Sequence, residues 1–145
     1  MSSPLTRALH TALIGFATRG EGVPLVVNYF IREVGSAIPE NQPRPIDLVL
    51  RDLSSDADAT RLEEVDYKSL MPANWPEDAG GRSEKAEKMD EFVEWLCGRP
   101  ETKIAVVCHH NVIQALLKSK KVDIENAVPI RCSLCSESGV LVWDA

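Results

Sequence analysis

The stretch Lys103-Ile-Ala-Val-Val-Cys108-His109-His110-Asn111 decides the fold class of this chain. Its first six residues are mostly apolar and include three β-branched side chains, which predicts a buried strand. Val112, Ala115 and Leu116 then follow helical spacing. A strand that leads directly into a helix is the repeating unit of α/β sheets with parallel crossovers.

Helices and strands alternate along the rest of the chain. In order, the apolar spacing predicts a helix over 3–18, a strand over 24–31, a helix that follows Ser83 and stops before Gly98, the strand over 103–108, a helix from Val112 and a strand over 138–143. Ser2 or Ser3 is the predicted N-cap of the first helix, with Pro4 at its first position. We therefore expect a single α/β domain over residues 1–145, with a layered, mostly parallel sheet and helices on both faces.

In residues 35–81 the spacing of apolar residues predicts secondary structure less clearly. Five of the nine prolines fall there, together with the polar run Ser54-Ser-Asp-Ala-Asp58. Residues 46–53 fit a short strand or a short helix equally well. A loop of this length inside a compact domain is usually either functional or poorly ordered, and we expect this region to cross the active face and to carry specificity.

The composition excludes several classes of protein. The chain has 145 residues, a formal net charge of −6 and no cluster of Lys or Arg, which argues against nucleic acid or an anionic membrane as its main partner. No apolar run reaches the roughly 20 residues of a membrane span, and the first residues lack the pattern of a signal peptide. We expect a cytoplasmic protein whose four cysteines are reduced thiols.

Three residues stand where ligands bind in open α/β sheets, beyond the carboxyl ends of the strands. His109 follows one predicted strand, Glu33 follows another, and Arg7 lies near the start of the first helix. An arginine and an imidazole at one place suit a phosphate, and a carboxylic acid at its edge suits protonation of a leaving oxygen. The alternatives are a solvated Arg7 on a helix surface and a Glu33 that only pairs with Arg32.

The remaining histidines have simpler interpretations. His110 is either a further donor to the phosphate or the exposed partner of His109, and His10 on the first helix is interpreted as structural.

The cysteines permit two other chemistries. Cys132 and Cys135 have the C-x₂-C spacing of zinc ligands, and Cys108 with the two histidines after it could complete a set of four. No second C-x₂-C exists, however, and the two cysteines would face opposite sides if residues 130–136 form a strand. Cys108 with a neighbouring imidazole could also form a nucleophilic pair, although no third orienting group is evident. The sequence has no Gly-rich phosphate loop, and we expect no metal and no cofactor.

Three segments resemble the histidine phosphatases, the phosphoglycerate mutase-like superfamily. Ser3-Pro-Leu-Thr-Arg-Ala-Leu-His-Thr-Ala12 resembles the Ser-Pro-Leu-x-Arg-Ala-x-Gln-Thr-Ala element of that family, with His10 in place of Gln. Phe30-Ile-Arg-Glu-Val-Gly35 is similar to the segment that supplies the acidic proton donor. Ile104-Ala-Val-Val-Cys-His109, followed by an apolar helix, resembles the segment that carries the second catalytic histidine. The three segments stand in the family order and span most of the chain.

The resemblance implies a fold and an activity. The fold would be phosphoglycerate mutase-like, and the reaction would be metal-free phosphoryl transfer from a phosphomonoester through phosphohistidine. Arg7 and His109 would hold the phosphate as charge develops, and Glu33 would protonate the leaving oxygen. The expected ligand is a phosphorylated small molecule, with hydrolysis and mutase chemistry both open.

The chain departs from the family pattern at two places. It contains no Arg-His-Gly, the motif that carries the nucleophilic histidine on the central strand, so we expect an N-terminally incomplete fold. His110 and Asn111 also stand where the family commonly has Gly-Gly; an imidazole there either crowds the phosphate or binds it. Two interpretations follow: an enzyme whose N-terminal unit is absent and which is inactive as this chain, or a pseudo-phosphatase that binds phosphorylated ligands or a protein. Since a missing central strand leaves a sheet edge uncovered, self-association through that edge is also expected.

Overall fold

The structure of the protein is a computed structural model. It describes residues 1–18, 20, 22–33, 38–56, 61–76, 85–119, 123–135 and 137–144. The helices are α1 (Thr6–Gly15), α2 (Ile46–Leu53), α3 (Lys85–Cys97) and α4 (His110–Leu116), and the strands are β1 (Leu25–Asn28), β2 (Val65–Leu70), β3 (Cys132–Cys135) and β4 (Val140–Trp143). Over these residues the protein is a mixed α/β structure with one parallel and one antiparallel pair of strands. None of the helices described is long and apolar enough to cross a membrane.

Helix α1 begins later than the sequence predicts. Its N-cap position is Leu5, which has an extended backbone and no side-chain cap, and Pro4 precedes the helix instead of opening it. The predicted caps Ser2 and Ser3 are wrong because both serines belong to a sheet-like arrangement: Ser2 forms parallel bridges to Val27 and to Val107. The apolar stripe of the helix is buried as predicted, through Ala8, Leu9, Ala12 and Leu13.

The N-terminal residues 1–3 lie between two extended segments. On one side the amide of Ser2 donates to the Val26 carbonyl of β1 over 2.9 Å, and β1 in turn pairs in parallel with β2. On the other side the amide of Ser3 donates to the carbonyl of Val107 over 2.9 Å. The lateral order is therefore β2, β1, residues 1–3 and the 103–108 segment, with parallel pairing throughout.

The 103–108 segment is less buried than predicted. Residues 103–105 are exposed, residues 106–108 are half-buried, and the segment is bridged only at Val107. The prediction of a buried strand is wrong here because, among the described residues, only residues 1–3 pair with this backbone. A strand that is paired on one side alone keeps its outer edge in solvent.

Two apolar clusters pack against this arrangement. The first is formed by α1, α2, β1 and β2, and its buried members are Leu9, Ala12, Leu13, Leu25, Val27, Ile46, Val49, Leu53 and Val65. The second lies around α3 and α4, with Ile31, Met89, Phe92 and Val112 at its centre. Val107 contacts the first cluster while Val106 and Cys108 contact the second. Because side chains alternate along an extended chain, the two clusters lie on opposite sides of the 103–108 segment.

Three further predictions concern the type and the bounds of elements. Residues 46–53, which fit either type, form the helix α2, with Ile46, Val49 and Leu53 buried on one face. The strand predicted over 24–31 ends at Asn28, and residues 29–31 continue as a 3₁₀ turn. The predicted N-cap Ser83 lies outside the described residues.

The C-terminal strand is antiparallel. β4 pairs with β3 in a hairpin, so this part of the chain is an antiparallel exception to the mostly parallel pairing that the sequence predicts. The physical reason is the short connection, since a tight turn joins only antiparallel neighbours. Gly139 makes that turn at φ +64°, a conformation that costs glycine little, and its amide donates to the Cys135 carbonyl over 2.8 Å.

Candidate anion-binding site

The fold brings two of the predicted residues, Arg7 and His109, into direct contact. Arg7 lies in the first turn of α1, and its Nη2 is 3.0 Å from Nδ1 of His109. The same Nη2 donates to Oδ1 of Asn41 over 2.7 Å, and Nη1 donates to the carbonyl oxygen of Glu40. Asn41 belongs to a short 3₁₀ turn over Pro39–Asn41 and is buried. The guanidinium is thus fixed in orientation although much of the Arg7 side chain is exposed.

The contacts of His109 determine which ring nitrogen carries the hydrogen. Arginine is a donor only, so Nδ1 accepts from Arg7 and holds no hydrogen. Nε2 lies 2.8 Å from Oγ of Ser3 and therefore donates to that hydroxyl. Ser3 is fully buried and is positioned by its own amide bond to the 103–108 segment. The imidazole is neutral and is held from both sides.

Burial and two nearby positive charges keep the imidazole of His109 neutral. The pKa of His109 is lowered to about 3, first by burial and then by the positive charges of Arg7 and Arg32. Only 6% of His109 is exposed, and Arg32 is buried to the same degree. Two guanidinium groups therefore act on one imidazole, which makes this a place where an added negative charge is stabilised.

Glu33 lies at the edge of the same region. It follows Arg32 after β1, only 4% of it is exposed, and its carbonyl oxygen accepts from Nη1 of Arg32 over 3.1 Å. Burial raises the pKa of the neighbouring Cys108 thiol to about 12, and the negative charge of Glu33 contributes to this rise. The carboxylate is therefore within electrostatic reach of the residue that precedes His109.

Two histidines lie apart from this cluster. His110 is exposed on α4 and, within the described part of the chain, forms no hydrogen bond with Arg7, Arg32 or Ser3. His10 is half-buried on α1, with Nε2 2.7 Å from a carboxylate oxygen of Asp56, which agrees with a structural role. The predicted contact of His110 with phosphate stays a prediction.

The cysteines do not converge on a metal. Cys132 and Cys135 stand three residues apart in β3, and side chains at that spacing face opposite sides of a strand. Over the described ranges no group of three metal-ligating side chains comes together. Cys108 is a poor nucleophile in this setting, because its raised pKa keeps the thiol protonated at neutral pH.

Sequence reasoning missed part of the cluster. The sequence predicts Ser3 as a helix cap and Arg32 only as an ion-pair partner, and Asn41 lies in the proline-rich region without a clear pattern. Burial of a polar residue is the signal that identifies all three, and burial is a tertiary property that spacing along the chain does not report.

Comparison with known proteins assigns this chain to no family. The chain matches no protein-family model, no curated protein and no solved structure.

Proposed function

We propose that this chain binds phosphomonoesters at the cluster of Arg7, Arg32 and His109, as a histidine phosphatase-like protein that does not hydrolyse them. The observation that carries the proposal is the 3.0 Å approach of Arg7 Nη2 to His109 Nδ1 beside the buried charge of Arg32. Guanidinium groups bind phosphate oxygens through strong, charge-assisted hydrogen bonds. A phosphate placed here faces the positive charges of Arg7 and Arg32 in a partly desolvated site, with the carboxylate of Glu33 at its edge.

Arg7 is the residue best placed to receive the ligand. Its guanidinium is reached from solvent, while Asn41 and the Glu40 carbonyl hold it beside His109. Pre-orientation of this kind reduces the entropy lost on binding. Arg32 is almost fully buried and acts on the ligand through its field, which low local dielectric strengthens.

The absence of turnover is part of the proposal. Phosphohistidine chemistry needs a ring nitrogen that is free to attack phosphorus, whereas His109 uses both of its nitrogens in contacts with Arg7 and Ser3. The sequence contains no Arg-His-Gly to supply another. Glu33 is the proton donor of this proposal and is buried at the edge of the site. Without a nucleophile no phosphate ester bond breaks, so there is no leaving oxygen for Glu33 to protonate.

The proposal also includes a phosphoglycerate mutase-like fold. A phosphoglycerate mutase-like sheet is supported by the parallel order of β2, β1, residues 1–3 and the 103–108 segment. Apolar clusters on both sides of that segment also agree with helices on two faces of a sheet. Among the described residues nothing pairs with the outer edge of the 103–108 segment, and such an edge is where a sheet accepts another strand.

Calorimetric titration with inorganic phosphate and with p-nitrophenyl phosphate tests the binding. Arg7→Gln should weaken both ligands by about tenfold or more, since hydrogen bonds to a charged group are worth about 1.5–3 kcal/mol. Arg51→Gln is the matched control, because Arg51 is an exposed arginine on α2 away from the cluster. Equal affinity of Arg7→Gln and the unchanged protein would refute the site, and release of p-nitrophenol that the His109→Ala substitution abolishes would refute the lack of catalysis.

A further inference from the structure

We propose that the cluster of Arg7, Arg32 and His109 selects phosphomonoesters whose alcohol part carries a positive charge, such as phosphate esters of amino alcohols. Esters with a second anionic group are disfavoured. The arginines hold the phosphate, while the carboxylate of Glu40, on the turn that fixes Arg7, attracts the cation of the ligand. This inference rests on the proposed function and adds to it the class of ligand.

The backbone holds the carboxylate of Glu40 near the guanidinium of Arg7. The Glu40 carbonyl oxygen accepts a hydrogen bond from Nη1 of Arg7, and the buried side chain of Asn41 accepts from Nη2 over 2.7 Å. Covalent geometry then keeps the Glu40 carboxylate within about 10 Å of Nη1 in every side-chain rotamer. Because Glu40 and Arg7 are both exposed, a ligand on Arg7 meets this negative charge from the solvent side.

The positive charges of the site are already balanced by carboxylates before a ligand binds. Arg7 and Arg32 carry two positive charges, and Glu33 and Glu40 carry two negative ones. Only 4% of Glu33 is exposed, so its charge is poorly screened by solvent. The imidazole of His109 is neutral and changes nothing in this balance. A bound phosphate dianion therefore leaves the site negative, which repels a further anion on the ligand and attracts a cation.

The charged residues that follow this turn preserve the balance. The cation nearest in sequence to the turn over Pro39–Asn41 is Arg44, and the carboxylate of Asp52 forms an ion pair with it. This pair leaves little positive charge to offset Glu40. The formal net charge of the whole chain is −6, so the long-range field also disfavours ligands with several negative charges.

The short distance between Glu40 and Arg7 suits a ligand whose two charges are close together. With the phosphate on Arg7, an ammonium two carbons from the ester oxygen lies within reach of the Glu40 carboxylate. A carboxylate at the same place on the ligand meets a like charge. For two unit charges within about 10 Å, at an effective dielectric constant between that of a protein surface and that of water, the interaction changes affinity by about two- to tenfold.

Titration calorimetry at about pH 8 with phosphoethanolamine, ethyl phosphate and phosphoglycolate tests the inference. The three esters are similar in size, and at this pH the phosphate of each is a dianion, because its second pKa is near 6. We expect phosphoethanolamine to bind about two- to tenfold more tightly than ethyl phosphate, and phosphoglycolate to bind more weakly by a similar factor. Near 1 M salt the differences should shrink, since the Debye length falls to about 3 Å. Equal affinity for the three ligands, or tightest binding of phosphoglycolate, would overturn the inference.

A pair of glutamate variants identifies the carboxylate. Glu40→Gln removes the charge but keeps the backbone carbonyl that holds Arg7, so the affinities for phosphoethanolamine and ethyl phosphate should converge. Glu63→Gln is the matched control and should retain the preference, because Glu63 is exposed just before β2, at the amino ends of the parallel strands. A preference that Glu40→Gln leaves unchanged would overturn the role of Glu40.

The outcomes separate this inference from the proposed function. If Glu40→Gln fails to fold, by circular dichroism, the three-ligand series at low and high salt on the unchanged protein still decides. Absence of binding by all three ligands would refute the proposed function, whereas equal binding of all three refutes only this inference.

Discussion

Nε2 of His109 lies 2.8 Å from Oγ of Ser3, across 106 residues of sequence, and both side chains are buried. This bond joins residues 1–3, which lie beside β1, to the start of α4. The bond orients the imidazole ring so that Nδ1 faces Arg7. A buried contact between two segments that are distant in sequence therefore fixes the orientation of the imidazole at the site.

Removal of the Ser3 hydroxyl is expected to destabilise the protein. Ser3→Ala leaves the Nε2 hydrogen of His109 buried without its acceptor, and an orphaned buried donor costs about 1–3 kcal/mol. Ser54→Ala is a suitable control, since Ser54 is exposed at the end of α2 and should change the free energy of unfolding by less than about 0.5 kcal/mol. Urea unfolding measures both values. Equal effects of the two variants would contradict a stabilising Ser3–His109 bond.

The stability of the protein should fall as the pH is lowered from about 6.5. The folded pKa of His109, about 3, lies below its ordinary value of 6.5. Between these values the unfolded chain binds a proton that the folded chain does not, so stability is fully present above the unfolded pKa and is lost on acidification. The expected slope from this one group is about 1.4 kcal/mol per pH unit at most.

Acidic groups titrate below the window in which this slope is measured. Arg44 holds the pKa of Asp52 below its usual value, and hydrogen bonds from Ser69 do the same for Asp66, so both contribute at lower pH. Chemical denaturation between about pH 5 and about pH 7 therefore measures the histidines with little contribution from these two carboxylates, and a His109 variant separates His109 from His10 and His110. His109→Gln should flatten the dependence; a slope as steep as that of the unchanged protein would assign it to other groups.

The sequence predicts much of the α/β order but little of the site. The stripe of α1 and the position of His109 between an extended segment and α4 follow from apolar spacing, because spacing reports local periodicity. Asn41 could not be predicted, since nothing local indicates that its 3₁₀ turn meets α1. The 103–108 segment was expected to be buried because apolar β-branched residues usually lie between two neighbours. How many neighbours a strand has is decided by the whole fold, and here the described residues supply one.

Thiol reactivity should distinguish two of the four cysteines. Cys135 is exposed, and hydrogen bonds from Ser138 and from the Glu137 amide lower the pKa of its thiol. Burial raises the pKa of Cys108 to about 12. Because the thiolate is the reactive form, Ellman's reagent near pH 8 should modify Cys135 in the fast phase and Cys108 only after unfolding.

Serine variants and peptide mapping check this order of reaction. Cys135→Ser should remove the fast phase, and Cys108→Ser should leave it intact. Modification of Cys108 in the native protein, at a rate similar to that of Cys135, would instead support the nucleophilic pair of Cys108 with a histidine.

The outer edge of the 103–108 segment should support weak self-association. The amide and carbonyl of Val107 bond to residues 1–3, as does the carbonyl of Ala105. Backbone groups of alternate residues point to opposite sides of an extended chain, so those of Ile104, Val106 and Cys108 point outward. From residue 104 to 108 the edge has neither proline nor charge, the devices that usually prevent edge-to-edge pairing.

Two copies can pair antiparallel along this edge, which places the two Lys103 side chains at opposite ends of the ribbon. Because one short strand pair buries far less than the roughly 1,200–2,000 Å² of a stable interface, we expect a dissociation constant on the order of 100 μM. Ile104→Lys puts a charge on the edge at a residue that is 36% exposed, and it should abolish the dimer in sedimentation equilibrium. Val128→Lys replaces an apolar residue that is 50% exposed away from the edge, so it should not. A monomer at all concentrations, or a dimer that survives Ile104→Lys, would show that this edge does not pair with itself.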